Sequence, residues 1–460
     1  MNAKKIGVFL LSISLWCCTD KKESEHLPGT LISDVTIVDV EKGTLVQGQN
    51  VVIDSGRIQK IISKIDNTKA YDTVISGKGK YLMPGLAEMH AHIPQPPNAS
   101  EELIDETLFL YLSNGITTIR GMLGHPAHLD LRSKSEAKKI LAPRIYTSSP
   151  SLNGNTIQTV EEAEAKVTAY KEAGYDFLKI HPGIKKEVFD AAVAKAKALD
   201  IPFAGHVPVE VGVRHALESG YVSIDHVDGF LEGLVPESAN VNPNENGFFG
   251  YNFTPLADST NIDGLVNLSK EHEVWIVPTQ SLYERWFAPT PVDEVLSEPE
   301  MQYMAKSTLE NWKSVRERYT GDGSFDQAQW QKFNEIRREL IAKLTREGQG
   351  VLLGSDAPQV FNVPGFSIHH EIDGMQGAGL SNLEILKSGT INPALFFDAL
   401  DEFGLVKEGL SADLILLNEN PLEDLDALKN LFGVMVKGQW LSKVDIDTRL
   451  KTIAEANASK

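Results

Sequence analysis

The chain has 460 residues, 42% of them hydrophobic and 23% charged, an ordinary balance for one large domain with a satellite or for two to three average domains. The 63 acidic against 44 basic side chains leave a net charge of -19, which argues against a phosphate-binding surface; no nucleic-acid module is visible. With 2 cysteines in all, a disulfide framework and a thiolate metal cluster are excluded.

Residues 1–18 differ in kind from the rest. Lys4 and Lys5 precede an apolar run from Ile6 to Trp16, too short to span a bilayer comfortably and expected to be an export leader. Leu15-Trp16-Cys17-Cys18 resembles a bacterial lipoprotein cleavage box with Cys18 as the lipid-bearing residue. An ordinary leader with incidental cysteines is the competing expectation. Residues 19–28 are polar and are expected to form a tether. The expected product is an exported lipoprotein, periplasmic or cell-surface, anchored to the membrane through Cys18.

From 29 to 86 the pattern is β-rich: Leu31 to Val38 and Asn50 to Ile53 are apolar and β-branched between Ser-Gly and Lys-Gly turns. Residues 406–442 repeat this character in Ala412 to Leu417 and Val434 to Gly438. One small β-sandwich built from both chain ends is predicted, with a C-terminal helix or tail over 443–460. Between them, 87–405 alternates short apolar runs with helical stretches such as Val160 to Ala173 and Lys186 to Leu199. Eight such runs, the last ending at Asp356, predict a (β/α)₈ TIM barrel. The seventh and eighth are separated by an excursion over about 281–350, predicted helical over Val292 to Arg318 and Asp326 to Glu347.

The polar ends of those runs carry the chemistry. His90 and His92 close the first run, and residues two apart on a strand share a side. His206 ends the fifth run, His226 the sixth and Asp356 the eighth. All five belong at the C-terminal rim of a barrel, where imidazoles and a carboxylate suit Zn²⁺ or a similar divalent ion. Lys179 sits inside the apolar run Phe177 to Ile180, where a free ammonium is costly. Carboxylation by CO₂ is one resolution; pairing with an acidic neighbour or reaching substrate are the others.

The motif Met83-Pro84-Gly85-Leu86-Ala87-Glu88-Met89-His90-Ala91-His92 resembles the first-strand signature of the amidohydrolase superfamily, near its imidazolonepropionase-like and prolidase-like branch. Ser223 to His226, Leu353 to Asp356, Thr390 to Ala394, Gly409 to Leu414 and Asn420 to Leu422 resemble later signatures, so that the likeness covers about 29–440. It implies a barrel with a β-sandwich and two divalent ions, Zn²⁺ or alternatively Mn²⁺. His90 and His92 would hold one ion, His206 and His226 the other, and carboxylated Lys179 would bridge them. Asp356 would ligate the first ion and act as general base in cleaving a C–N bond of a small-molecule amide or dipeptide.

Secondary candidates for substrate contact lie on loops of the same rim: His125 with His128, Tyr283, and His369 with His370. The aromatic stretch Asn242 to Phe253 is read as a lid or as a packed surface loop. Arg120, Arg214 and Arg285 are single candidates for meeting a substrate carboxylate. His181, His215 and His272 are expected to be structural or solvated. Competing functions are a cyclic-amide hydrolase or deaminase using the same site, and a lipid-anchored binding protein on a hydrolase scaffold. Bound metal separates the enzymes from the binder.

Overall fold

The computed structural model describes residues 27–458 except 66, 67, 322 and 324, so the leader and Cys18 lie outside the described residues. The terminal strands are β1 (Leu27–Asp39), β2 (Thr44–Asp54), β3 (Arg57–Ile62), β4 (Tyr71–Ser76) and β5 (Tyr81–Pro84). The barrel strands follow as β6 (Leu86–Ala91), β7 (Ile116–Gly121), β8 (Arg144–Leu152), β9 (Phe177–Ile180), β10 (Phe203–Gly205), β11 (Ser223–Asp225) and β12 (Trp275–Val277). The chain then returns to the first sheet with β13 (Leu414–Leu417), β14 (Leu431–Val436) and β15 (Gln439–Ser442).

The eight terminal strands form one sheet in the order β15-β14-β13-β5-β1-β2-β3, with β4 beside β1. The two ends of the chain meet where β5 runs antiparallel to β13, with Tyr81 opposite Leu417. Alternating apolar residues on these strands, among them Val35, Val51, Leu82, Leu414 and Met435, pack into one buried cluster. Leu27 and Pro28 correct the expected tether. They already belong to β1, where Leu27 pairs with Tyr71.

The barrel strands are parallel and neighbour one another in chain order from β6 to β12. Residues 351–357 close the ring as an eighth segment rather than a regular strand. Val351 bridges Ile276 and Ala357 bridges Ala91. The Leu353 amide donates to the Ser388 carbonyl, on a helix, instead of to a strand, and Asp356 takes a positive φ of 65°. Both features take the segment out of a ladder while leaving its polar end at the rim.

The sequence pattern places most helices well. Thr159 and Glu162 cap Val160–Ala173 reciprocally, and Gly174 ends it in the left-handed conformation. The excursion differs from expectation. The stretch expected to be helical over 292–318 is broken into two helices, Val292–Leu296 and Lys306–Thr320, with a tight turn at Pro299–Tyr303 between them. Pro299 has no amide hydrogen for a continuing helix. The helix Gln327–Arg346 then packs its buried Phe333, Leu340 and Leu344 onto the barrel core. No described helix is long and apolar enough to cross a membrane.

Candidate metal centre

Strand geometry brings the expected residues to one end of the barrel. His90 lies on β6 and His92 just beyond it, Lys179 on β9, His206 and His226 directly after β10 and β11, and Asp356 on the closing segment. Asp356 Oδ1 is 2.5 Å from His92 Nε2 and 3.4 Å from His90 Nε2. The ring of His226 stands 4.5 Å from that of His90 and 4.6 Å from that of His206. His90, His92 and Asp356 offer ligand atoms all within 4.8 Å of one another.

Each histidine of the second pair is oriented from behind. His206 Nδ1 lies 3.0 Å from Asp228 Oδ2, which also accepts from the Val207 amide. His226 Nδ1 lies 2.8 Å from Thr279 Oγ1. A ring held through Nδ1 presents Nε2 forward, the usual arrangement behind a metal-binding imidazole. Burial, with the cationic neighbour Lys179, pushes the pKa values of His90, His206 and His226 well down, so these rings are neutral and their lone pairs are available. Positive φ angles at His226 (67°) and Asp356 (65°) put both in a conformation that costs non-glycine residues free energy, which the packing around the site sustains.

Below this cluster is a buried charged layer. Arg120, wholly buried, donates to Asp225 Oδ1, Ser223 Oγ and the Met89 carbonyl. Asp225 Oδ2 faces His90 Nδ1 at 3.3 Å and Lys179 Nζ at 3.6 Å, and none of these three atoms makes a hydrogen bond. Burial lowers the Lys179 pKa, only partly offset by Asp225 and Asp356. Glu88 ties the first and last barrel segments together, accepting from the amides of His90 and Ser355 and from Ser355 Oγ.

The neutral rings, the carboxylate at Asp356 and the unpartnered buried atoms His90 Nδ1, Lys179 Nζ and Asp225 Oδ2 fit divalent-cation binding.

The loop candidates fare differently. His125 caps the helix Pro126–Glu136, its Nδ1 accepting from the Ala127 amide, and His128 is fully buried. Tyr283 is fully buried, its hydroxyl donates to the His226 carbonyl and its ring lies under the Arg337 guanidinium, so it supports the rim from behind instead of facing substrate. His369 is buried against Asn114 Oδ1, at the end of the helix that precedes β7, and His370 bonds Glu300. All five follow apolar strands in the sequence, but helix capping and helix packing claim them.

One feature went unread in the sequence. His181, expected to be structural or solvated, has its ring 4.9 Å from that of His206 and its Nδ1 2.6 Å from Ser151 Oγ. The spacing Lys179-Ile180-His181 carried that signal, since i and i+2 share a strand face. From the aromatic stretch read as a lid or a packed surface loop, Phe249 brings its ring to 5.9 Å from His206 and 5.4 Å from His226, on a left-handed residue at φ 51° and ψ 47°.

A closed parallel barrel with a histidine–aspartate cluster at the strand ends defines the class. Residues 81–441 match the amidohydrolase family, and the chain belongs to it. A dihydroorotase of Halalkalibacterium halodurans is 34% identical over 93 residues, which is 20% of this chain and 21% of that protein; the chain thus matches about a fifth of its length. Among solved structures, a bottromycin amidohydrolase superposes with a TM-score of 0.69 at 21% identity, covering 93% of this chain and 90% of that one. A Xaa-Pro dipeptidase with bound methionine gives 0.63 at 20% identity, covering 90% and 99%. At these identities the superpositions speak for the fold.

Proposed function

We propose that the protein is a metal-dependent hydrolase of C–N bonds whose substrate is a small amide, in the simplest case a dipeptide or an N-acyl amino acid. The observation that carries this reading is the convergence of His90, His92, Lys179, His206, His226 and Asp356 on one barrel rim. His90 and His92 with Asp356 would hold one divalent ion, and His206 with His226 a second, Zn²⁺ being the reading and Mn²⁺ the alternative. When bound, such an ion would supply Lewis acidity that lowers the pKa of water to about 7.

The chain's own groups then divide the work. Asp356, fixed by His92, takes the proton of the attacking water and returns it to the departing nitrogen. A C–O bond forms, the C–N bond breaks, and an acid and an amine leave. With CO₂, the Lys179 amine would form an N-carboxyl anion and release one proton. The buried Arg120–Asp225 pair leaves Lys179 without a full partner of its own, which favours this product. Phe249 excludes water above the two distal histidines. A cyclic amide is the second reading, supported by the stretch shared with a dihydroorotase. Export as a Cys18-anchored lipoprotein remains part of the proposal.

Metal content and turnover test it together. Purified protein is expected to hold divalent metal, and chelation to remove turnover that added Zn²⁺ or Mn²⁺ restores. Asp356→Asn is expected to lower kcat by about 10²–10⁴-fold with metal still partly bound. Absence of metal together with absence of hydrolysis across dipeptides, N-acyl amino acids and cyclic amides would overturn the reading.

A further inference from the structure

A cavity of about 630 Å³ opens beside His206 and Asp228, within the size range of ligand pockets. Its walls are aromatic: Phe248 and Phe249 from the loop after β11, and Trp286, Phe287 and Tyr319 from the excursion after β12. The rings brace one another. Phe248 stacks on Phe287 at 4.6 Å and meets Trp286 and Tyr319 edge-on at 5.2 and 5.4 Å. The indole Nε1 of Trp286 is buried without an acceptor.

The polar groups are few and unequal. Asp228 is already engaged by His206 and the Val207 amide. Arg318 is the one permanent cation among the described lining residues. It is exposed on the helix Lys306–Thr320, and no carboxylate pairs with it among the described residues. Its neighbour two positions back behaves oppositely: Arg316 is buried and donates to the Ala288 carbonyl. On a chain of net charge -19, an anion needs a local cation to settle. Aromatic walls lower the local dielectric and strengthen such a pair, and a guanidinium fork matches a carboxylate.

We propose that Arg318 binds a carboxylate on the substrate and that the aromatic walls take a bulky apolar side chain next to it. Resting on the hydrolase reading above, this narrows the substrate to an N-acyl amino acid or dipeptide whose C-terminal residue is aromatic or large and aliphatic. The amide would lie at the His206 end of the cavity and the free carboxylate at the Arg318 end. Arg120, Arg214 and Arg285 do not compete for this role. Arg120 is spent on Asp225, Arg285 on Glu298, and Arg214 lines a different cavity.

Binding tests this without turnover. Metal-loaded full-length protein is titrated with 3-phenylpropanoate, 3-phenylpropan-1-ol and 3-phenylpropylamine, none of which has an amide to cleave. The carboxylate is expected to bind about tenfold or more tighter than the alcohol, as one charge-assisted pair supports. Arg318→Gln should remove that preference, Arg318→Lys keep part of it, and Arg318→Glu transfer it to the amine. Arg318 is exposed, so circular dichroism should show these variants folded. A carboxylate preference that survives Arg318→Gln belongs to the metal centre and overturns the proposal, as does equal binding of the three probes or no binding at all. The hydrolase reading stands or falls separately, on metal content and amide turnover.

Discussion

At Lys179 two physical demands meet. A wholly buried ammonium is penalised, and its nearest carboxylate, Asp225, is already shared with Arg120. Lys179→Met keeps the packing and is expected to lower bound metal and turnover together. Short carboxylic acids added in the millimolar range should restore part of both if an anionic bridge is what was lost; a variant with full metal and turnover would refute the bridging role. Glu371 poses a different electrostatic problem. Burial pushes its carboxyl up to about 7, against the pull of the Ser281 amide, and its Oε1 has no partner. A proton is therefore held more tightly in the folded chain than in the unfolded one. The stabilisation is full below the ordinary value of 4.5 and lost as pH rises through 7. A shift of this size corresponds to roughly 3 kcal/mol, so Glu371→Gln should flatten the fall in urea-unfolding stability between pH 5 and pH 8. An unchanged pH slope would place the proton elsewhere.

The elements around the site depend on close backbone approach. Gly354 lies in the closing segment, and a Cβ there would come within 2.8 Å of the His90 amide nitrogen and 2.6 Å of a Val277 methyl. Gly354→Ala must push the segment carrying Asp356 away from β6, and overpacking of this kind costs about 1–3 kcal/mol. Loss of metal affinity is expected to exceed what the stability change explains, as read by metal titration on protein that remains folded. At this scale much was legible in the chain. The strand ends at His90, His206, His226 and Asp356 stood out because each closes an apolar run, and the helix at Val160–Ala173 because its cap residues are written beside it. The break at Pro299 was written in the chain but overlooked in the helical pattern, whereas the inward turn of Tyr283 and His369 was not legible from run-and-spacing patterns, since it follows from which helix packs where. Arg318 was hidden for the same reason. On a helical wheel it is one more charged residue, and only the tertiary position of the excursion sets it at the cavity mouth.

Across the whole molecule, one face of the terminal sheet joins the barrel in a shared body of buried side chains, while its other face forms a cluster of its own. The main apolar cluster runs from Val38 on β1 through the barrel to Ile453 in the last helix. Polar ties cross the same boundary: the Gly85 amide donates to the Asp413 carbonyl, and Arg144 pairs with Asp413 at 3.3 Å. Tryptophan fluorescence and far-ultraviolet circular dichroism are expected to report one coincident unfolding transition in denaturant, because one face of the terminal sheet is buried in the barrel's core. Two separated transitions would mean independent domains.

The antiparallel pairing of Tyr81 with Leu417 also sets an order in time. Strand β5 leaves the ribosome 336 residues before its partner, the difference between positions 417 and 81. At typical synthesis rates that is a wait of roughly 20 to 70 s. Throughout it the apolar edge of β5 faces a partner not yet made, and the strand that carries His90 follows directly behind. The last strands to be synthesised thus complete the sheet from which the catalytic barrel begins, so maturation of the site is coupled to completion of the chain.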